Sequence, residues 1–264
     1  MPLIVYSKST EKFAKNMDTK FLRVDKPPTE KTLELTADDE IIAIGGGSVI
    51  DTAKIIAAVS KNQKVMAIPT TASGAEKTGH AVYWKNGRKY SIKTPMPEVN
   101  MNLELLETLP KDIIRATSYD ALSHALESLW SKKATLLSDL CAQEAIKVIT
   151  NQIMGGYPDL KELIRGGDLG GRAIEITGTN IVHALSYPLT GFYNVSHGLA
   201  VGLILPAVAK YVGCKPKIPK YKINIKRDFD FNFIAEEAMN YAQIHDAIKN
   251  ITKNKALAIL KESL

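Results

Sequence analysis

The chain has 264 residues, of which 45% are hydrophobic and 23% charged, and it carries a formal net charge of +6. This length can bury a sizeable core in one or two domains, and the composition excludes a low-complexity or disordered protein. The positive charge is compatible with anionic ligands such as nucleotide phosphates, but it is spread along the sequence. We therefore predict an ordinary basic protein that does not bind nucleic acid.

Cysteine usage and hydropathy indicate a reducing compartment and no membrane segment. Cys141 and Cys214 are isolated thiols without paired spacing, which argues against a disulfide framework. The N-terminus lacks the layout of a signal peptide. The longest apolar stretch, at 198–209, is too short to cross a bilayer and contains Pro206. We predict a soluble, cytoplasmic protein.

Strand-like and helix-like segments alternate in the first part of the chain. Strands are predicted at 3–6, 20–24, 40–44 and 64–70. Helices are predicted between them, at 9–17, 28–36 and 48–62. This alternation is typical of a parallel sheet with crossover helices.

Three glycines separate the third strand from the helix that follows it. Ser48 is predicted to cap this helix, with Asp51 completing a shortened capping box. Glycines let a ligand approach bare backbone, and a helix N-terminus favours a phosphate. The alternative is a turn that only reverses the chain direction, and the spacing of Gly45–Gly47 leaves both interpretations open.

From Pro110 onwards the sequence is helical in its periodicity. Helices are predicted at 111–133, 135–154, 172–189 and 197–212. The Lys- and Pro-rich segment 214–233 is predicted to be a surface loop. We predict a boundary between residues 109 and 110, with an α/β part before it and an all-helical part after it.

The helical part contains residues of the types that bind transition metals. Asp120 and His124 are four residues apart, which places both side chains on one face of a helix. His183 and His197 follow in apolar, helix-like surroundings. One Asp and three His would suit Fe²⁺ or Zn²⁺. The alternative for each histidine is a hydrogen-bonded core residue, and spacing alone does not show that the four converge.

Four motifs together resemble the iron-containing alcohol dehydrogenase family. They are GGGSVIDTAK (45–54), IPTTASGAE (68–76), DALSHALE (120–127) and HALSYPLTGFYNVSHG (183–198). The resemblance implies an α/β NAD(P)-binding domain with a parallel sheet at 1–109 and an all-α metal-binding domain at 110–264. This is the dehydroquinate synthase-like fold, with the active site in the cleft between the domains. The metal ligands that the resemblance implies are Asp120, His124, His183 and His197.

The resemblance also assigns residues to the cofactor. The triple-glycine turn would lie against the pyrophosphate of NAD(P), the turn at 70–76 would line the adenosine and nicotinamide side, and Lys89 would approach a cofactor ribose. The residues assigned to the cofactor site are Ser7, Gly45, Gly46, Gly47, Ser48, Asp51, Thr70, Thr71, Ser73 and Lys89.

Two departures from the family pattern affect the expected chemistry. NAD-preferring members end the first strand in an Asp, whereas this chain has Ser7 followed by Lys8, which would accept the 2′-phosphate of NADP. Many members carry a His where this chain has Tyr187, so we predict that Tyr187 takes the catalytic role of proton donor. The chain is also shorter than the family pattern at both ends, and for this reason we predict a homodimer.

The resemblance implies a metal-dependent NAD(P)-linked oxidoreductase that interconverts a small alcohol and its aldehyde or ketone by hydride transfer. Two alternatives stay open from the sequence. The first is an enzyme of related fold that acts on a phosphorylated or phosphonate substrate, of the glycerol-1-phosphate dehydrogenase or phosphonoacetaldehyde reductase type. The second is a homologue that binds nucleotide or metal without catalysis.

Overall fold

The structure is a computed structural model that describes residues 1–15, 19–61, 64–155, 159–214, 218–221 and 227–264. Its strands are β1 (Leu3–Tyr6), β2 (Lys20–Arg23), β3 (Ile41–Gly45), β4 (Val65–Pro69), β5 (His80–Lys85), β6 (Arg88–Lys93) and β7 (Glu98–Val99). Its α-helices are α1 (Glu11–Ala14), α2 (Gly47–Val59), α3 (Leu103–Glu107), α4 (Lys111–Leu129), α5 (Leu136–Met154), α6 (Leu160–Thr177), α7 (Ile181–Tyr193), α8 (His197–Val212), α9 (Phe231–Met239) and α10 (Lys253–Ser263).

Five strands form the predicted parallel sheet, in the order β2-β1-β3-β4-β7. The strand order runs outwards from β1 to β2 and then resumes on the other side of β1 with β3 and β4. In open parallel sheets a ligand binds at the carboxyl ends of the strands where this order reverses. Ser7 follows β1 and Gly46 follows β3, so both lie at that point.

The four predicted strands and the helix after the glycines are confirmed, but two other helices were predicted too long. Residues 30–34 form only a 3-10 turn, and α1 spans a single turn after another such turn at 8–10. Thr29 donates its backbone N–H to the Thr32 hydroxyl at 3.2 Å. Such side-chain bonds compete with helix propagation. Residues 16–17 of the helix predicted at 9–17, and residue 62 of the helix predicted at 48–62, lie outside the described residues.

The sequence analysis did not predict the antiparallel hairpin of β5 and β6. Its turn residues Asn86 and Gly87 both have positive φ, 51° and 76°, as a two-residue hairpin turn of type I′ requires. The hairpin stands apart from the main sheet and packs against α7. At Gly191, on α7, an added Cβ would come within 1.8 Å of the Gly87 carbonyl oxygen, so only glycine permits this approach.

The second part of the fold is helical, as predicted. Helix α4 packs against α5, α6 and α8, and α7 packs against α8 and α9. The single helix predicted at 172–189 was wrong, because α6 ends at Thr177 and α7 begins at Ile181. Gly178 takes a positive φ of 69°, and Asn180 caps α7 by accepting a hydrogen bond from the Ile181 backbone N–H at 2.7 Å.

Helix α6 begins well before the predicted segment and passes through four glycines. These residues lower helix propensity, which hid the helix in the sequence. A Cβ at Gly170 would lie 2.9 Å from the carbonyl oxygen of Ala121, so this glycine lets α6 approach α4 closely. Tertiary packing here outweighs propensity.

The loop predicted at 214–233 is only partly described, since residues 215–217 and 222–226 lie outside the described residues, and α9 already begins at Phe231. Of the helices that the structure describes, none has both the length and the apolar composition needed to cross a membrane. The division of the chain between residues 109 and 110 stays a prediction.

Candidate active site

Three helices bring the four predicted metal ligands together. Asp120 and His124 lie one turn apart on α4, His183 lies in the first turn of α7, and His197 is the first residue of α8. The Nε2 atoms of His124, His183 and His197 lie 3.9, 3.6 and 3.6 Å from Asp120 Oδ1. One ligand atom each of Asp120, His124 and His183 lies within 4.8 Å of the others. All three imidazoles therefore face one carboxylate oxygen.

The cluster leaves buried polar atoms without hydrogen bonds, and this fits a cation. Within the described part of the chain, Asp120 Oδ1 and His183 Nε2 are buried and have no hydrogen-bond partner. Buried polar atoms in folded proteins are almost always bonded. A divalent ion would satisfy both atoms, and a set of one carboxylate and three imidazoles suits Fe²⁺ or Zn²⁺.

A second carboxylate, Glu127, holds His183 in place. Glu127 is fully buried and hydrogen-bonds His183 Nδ1. It also accepts the backbone N–H groups of Asn180 and Val182, at 3.0 and 2.7 Å, at the start of α7. With Nδ1 bonded to Glu127, Nε2 is the ring nitrogen of His183 that faces Asp120 and the site. The sequence analysis missed this role, although Glu127 lies seven residues after Asp120, two turns along the same face of α4.

His124 is oriented in the same way by the turn that follows β4. Its Nδ1 lies 3.1 Å from the backbone carbonyl oxygen of Ser73, to which it donates. The same turn reaches the glycines, because Thr70 donates its N–H to the Gly45 carbonyl oxygen at 3.1 Å. One turn thus links the predicted cofactor residues to a predicted metal ligand.

The charges in the cluster favour a bound cation. Burial raises the pKa of Asp120, but the three surrounding imidazoles outweigh it and hold the carboxyl well below its usual range. Burial lowers the pKa of His197 to about 4, so its imidazole is neutral near pH 7. Burial also opposes protonation of His183, but Glu127 and Asp120 raise its pKa to about 10. Near pH 7 Asp120 is therefore a carboxylate and His197 a neutral imidazole, which are the protonation states that bind a metal ion.

Tyr187 and Lys89 form a second group beside the histidines. The Tyr187 ring is 2% exposed and lies nearly parallel to the His197 ring, at 20° and 6.1 Å between centroids. Lys89 donates from Nζ to the Tyr187 hydroxyl at 2.7 Å, and Thr179 Oγ1 lies 3.2 Å from the same hydroxyl. Burial raises the pKa of Tyr187, but Lys89 and His183 outweigh this effect and lower it.

A cavity of about 650 Å³ opens at the carboxyl ends of β1 and β3. Its lining residues are Ser7, Lys8, Ser9, Val24, Asp25, Gly46, Gly47, Ser48 and Val49. Four of the predicted cofactor residues therefore line one cavity, and Gly45 adjoins it at the end of β3. The N-terminus of α2 borders the same space.

The predicted capping box of α2 was wrong. The helix begins at Gly47 and Gly46 is its N-cap, so Ser48 lies inside the first turn instead of capping it. Asp51 does not reach the cap either, because its carboxylate accepts the backbone N–H of Val82 on β5. The glycine backbone can take the cap position without a side chain, which a Ser-based pattern does not anticipate.

Comparisons with known proteins agree with this architecture. The family model described as iron-containing alcohol dehydrogenase matches residues 6–101, and that of the C-terminal part of the same family matches residues 114–224. Lactaldehyde reductase of Escherichia coli is 32% identical over 66% of this chain and 53% of its own length. Alcohol dehydrogenase 4 of Saccharomyces cerevisiae is 26% identical over 88% of this chain and 78% of its own length.

Among solved structures, an iron-containing alcohol dehydrogenase from Thermotoga maritima superimposes with a TM-score of 0.78 at 23% identity, covering 100% of this chain and 91% of that one. That similarity establishes the fold. The chain spans about half the length of lactaldehyde reductase, with which it aligns over 53% of that protein. With both family models matched in order, the chain belongs to the iron-containing alcohol dehydrogenase family.

Proposed function

We propose that the protein is a metal-dependent, NAD(P)-linked oxidoreductase that interconverts a small alcohol with its aldehyde or ketone. The observation that carries this proposal is the convergence of Asp120, His124, His183 and His197, with buried ligand atoms that no group in the described part of the chain satisfies. The names of the relatives, which include lactaldehyde reductase and alcohol dehydrogenase, support the same chemistry. Cytoplasmic location and a homodimer stay predictions from the sequence.

The four ligands would hold Fe²⁺ or Zn²⁺. When bound, the ion supplies Lewis-acid polarisation of the substrate oxygen, and NAD(P) supplies or accepts the hydride. The protein's own contribution is to orient these groups. Glu127 and the Ser73 carbonyl fix the tautomers of His183 and His124. Tyr187 places a hydroxyl beside the histidines, where it can give a proton to the substrate oxygen while Lys89 stabilises its anion.

We also propose NADP as the preferred cofactor. In the cavity after β1, Ser7 stands where a carboxylate would exclude a 2′-phosphate, and Lys8 adds a positive charge. Asp25 lines the same cavity, but Arg23 pairs with its carboxylate at 2.8 Å and compensates its charge. The positive charge of Lys8 is then left over, and it favours a cofactor whose ribose carries an anionic 2′ group.

An assay with matched variants tests the proposed activity. Wild-type protein loaded with Fe²⁺ or Zn²⁺ is expected to oxidise NADPH with at least one member of a panel of small aldehydes. His197→Ala removes one ligand, so metal content and turnover are expected to fall by more than about 100-fold. His245→Ala changes an exposed histidine elsewhere and serves as the control.

The readouts are elemental analysis and NADPH absorbance. The proposal is wrong if the wild type binds neither metal and turns over no aldehyde. It is also wrong if His197→Ala keeps both metal and activity at the level of His245→Ala.

A further inference from the structure

An ion pair joins the hairpin to the far end of the chain. Arg88, on β6, donates from Nε and Nη2 to the two carboxylate oxygens of Glu237 on α9, at 2.8 and 2.7 Å. Glu237 is 7% exposed, and the guanidinium of Arg88 is the cation that pairs with its carboxylate. The arrangement is bidentate, and a planar guanidinium paired with a planar carboxylate fixes direction as well as distance.

A second contact follows at the next residue. The backbone N–H of Lys89 donates to the Tyr241 hydroxyl at 2.9 Å. The Tyr241 ring in turn packs edge-on against the Tyr187 ring, with centroids 5.0 Å apart. The strand is therefore attached to the α9 region through both the Arg88 side chain and the Lys89 backbone.

These two contacts fix the backbone of Lys89, and therefore the point from which its side chain extends. From that point its ammonium reaches the Tyr187 hydroxyl at 2.7 Å and lies 4.3 Å above the ring centroid, beside His197. Among the hairpin residues, Lys85 also forms an ion pair, with Glu30 at 2.7 Å, but that pair joins the hairpin to the α/β part. The described hairpin also pairs His80 with Glu175 on α6 at 3.6 Å, but among these ion pairs only the one at Arg88 is formed by a chain neighbour of Lys89.

We infer that the Arg88–Glu237 ion pair positions Lys89: it holds β6 against α9 so that the Lys89 ammonium stays against Tyr187 at the edge of the metal cluster. Arg88 is a positioning residue, since its own guanidinium is occupied by Glu237. The inference rests on the proposed function where it concerns NADPH. Where it concerns the placement of Lys89, it can be measured without turnover.

A double-mutant cycle separates positioning from mere stabilisation. The variants are Arg88→Met, Lys89→Met and the two together, with Lys85→Met as the control that removes another cation from the same hairpin. The combination Arg88→Met/Glu237→Gln removes both charges, so that no buried carboxylate is left unpaired if the single variant folds poorly. The first readout is the NADPH dissociation constant from nicotinamide fluorescence. The second is the acetylation rate of Lys89, measured by mass spectrometry.

We expect Arg88→Met to weaken NADPH binding by about tenfold, because small misplacements at a site have large effects. Lys89 acetylation should accelerate in the same variant, and Lys85→Met should change neither readout. In the Lys89→Met background, Arg88→Met should add no further loss of NADPH affinity, because coupled residues are not additive.

Additive losses in the cycle, or a Lys89 acetylation rate that Arg88→Met leaves unchanged, would overturn the inference. If wild-type protein does not bind NADPH, the proposed cofactor is wrong. The acetylation rates of Arg88→Met and Lys85→Met then decide the positioning role by themselves.

Discussion

Single residues at the site act through the partners that orient them. Asp120 and the three histidines stood out in the sequence as residues of metal-binding type, two of them on one helix face, but only the family resemblance assigned them as one ligand set. Glu127 and the Ser73 carbonyl could not, since a core carboxylate and a backbone oxygen carry no distinctive pattern. Lys89 was assigned to the cofactor by resemblance, and its contact with Tyr187 depends on a hairpin that the analysis missed.

Ser7 allows a test of the cofactor preference at the scale of one side chain. Ser7→Asp places a carboxylate in the cavity beside the position proposed for the 2′-phosphate. We expect the ratio of kcat/KM for NADH over NADPH to rise by about tenfold or more, because like charges at close range repel. Steady-state kinetics with both cofactors measure this ratio. Ser7→Asn introduces a side chain of the same size as Asp but without its charge, and it should leave the ratio of kcat/KM values nearly constant. An unchanged ratio in Ser7→Asp would show that Ser7 does not face the 2′ position.

At the scale of elements, the triple-glycine turn must pack closely against α2 and also leave part of its backbone accessible. A Cβ at Gly45 would lie 2.5 Å from Val49 Cγ2 on α2, so this glycine is needed for the turn to pack on its own helix. A Cβ at Gly47 would meet nothing closer than 3.8 Å, so the fold leaves room for a side chain there. The sequence places the three glycines together, but only the packing distinguishes a structural glycine from one kept free for a ligand.

Two alanine substitutions separate these requirements. Gly45→Ala is expected to destabilise the protein by about 1–3 kcal/mol through overpacking, measured by urea unfolding. Gly47→Ala should keep or slightly increase stability, because alanine is the better helix former. If the pyrophosphate lies against the bare backbone, Gly47→Ala should nevertheless weaken NADPH binding by about tenfold. Wild-type affinity in Gly47→Ala would argue against a phosphate at this turn.

The main sheet and the helices α2, α4, α5 and α8 could be predicted because periodicity and chain order report them directly, whereas α3, α9 and α10 were not predicted. The parallel sheet followed from alternating β- and α-type segments, and α4, α5 and α8 from apolar periodicity. The errors have local causes. Helix α6 was hidden by its four glycines, of which Gly170 packs against α4, and the hairpin was overlooked although Asn86–Gly87 is a strong turn signal.

At the scale of the whole molecule, stability should depend on a partly buried acid, Asp51, between α2 and the hairpin. Burial raises the pKa of Asp51 to about 6, against the opposing charge of Lys54. The folded state therefore binds a proton more tightly than the unfolded state between about pH 4 and 6. The contribution of Asp51 to stability is thus present at low pH and is lost as pH rises through about 6.

Asp51→Asn tests this dependence by comparison with wild type at each pH. The variant is expected to be more stable by about 2 kcal/mol near pH 7.5, with an advantage that shrinks towards pH 4.5. Urea unfolding of both proteins gives the difference, in which the titration of the histidines cancels. An advantage that grows as pH falls would contradict the raised pKa.

The hairpin also limits where a peptide can be inserted into the protein. Hairpin tips are ordinarily tolerant positions for added peptide. Here the tip is tightly packed, because a Cβ added at Gly87 would lie only 2.5 Å from the ring of Phe192. The carbonyl oxygen of Gly87 also lies against Gly191 on α7. An epitope tag or a fluorescent reporter inserted between Asn86 and Gly87 would press on α7 and shift the strand that carries Lys89. The exposed start of α5, where Leu136 and Leu137 are 78% and 63% accessible, offers a safer point of attachment far along the chain from those contacts.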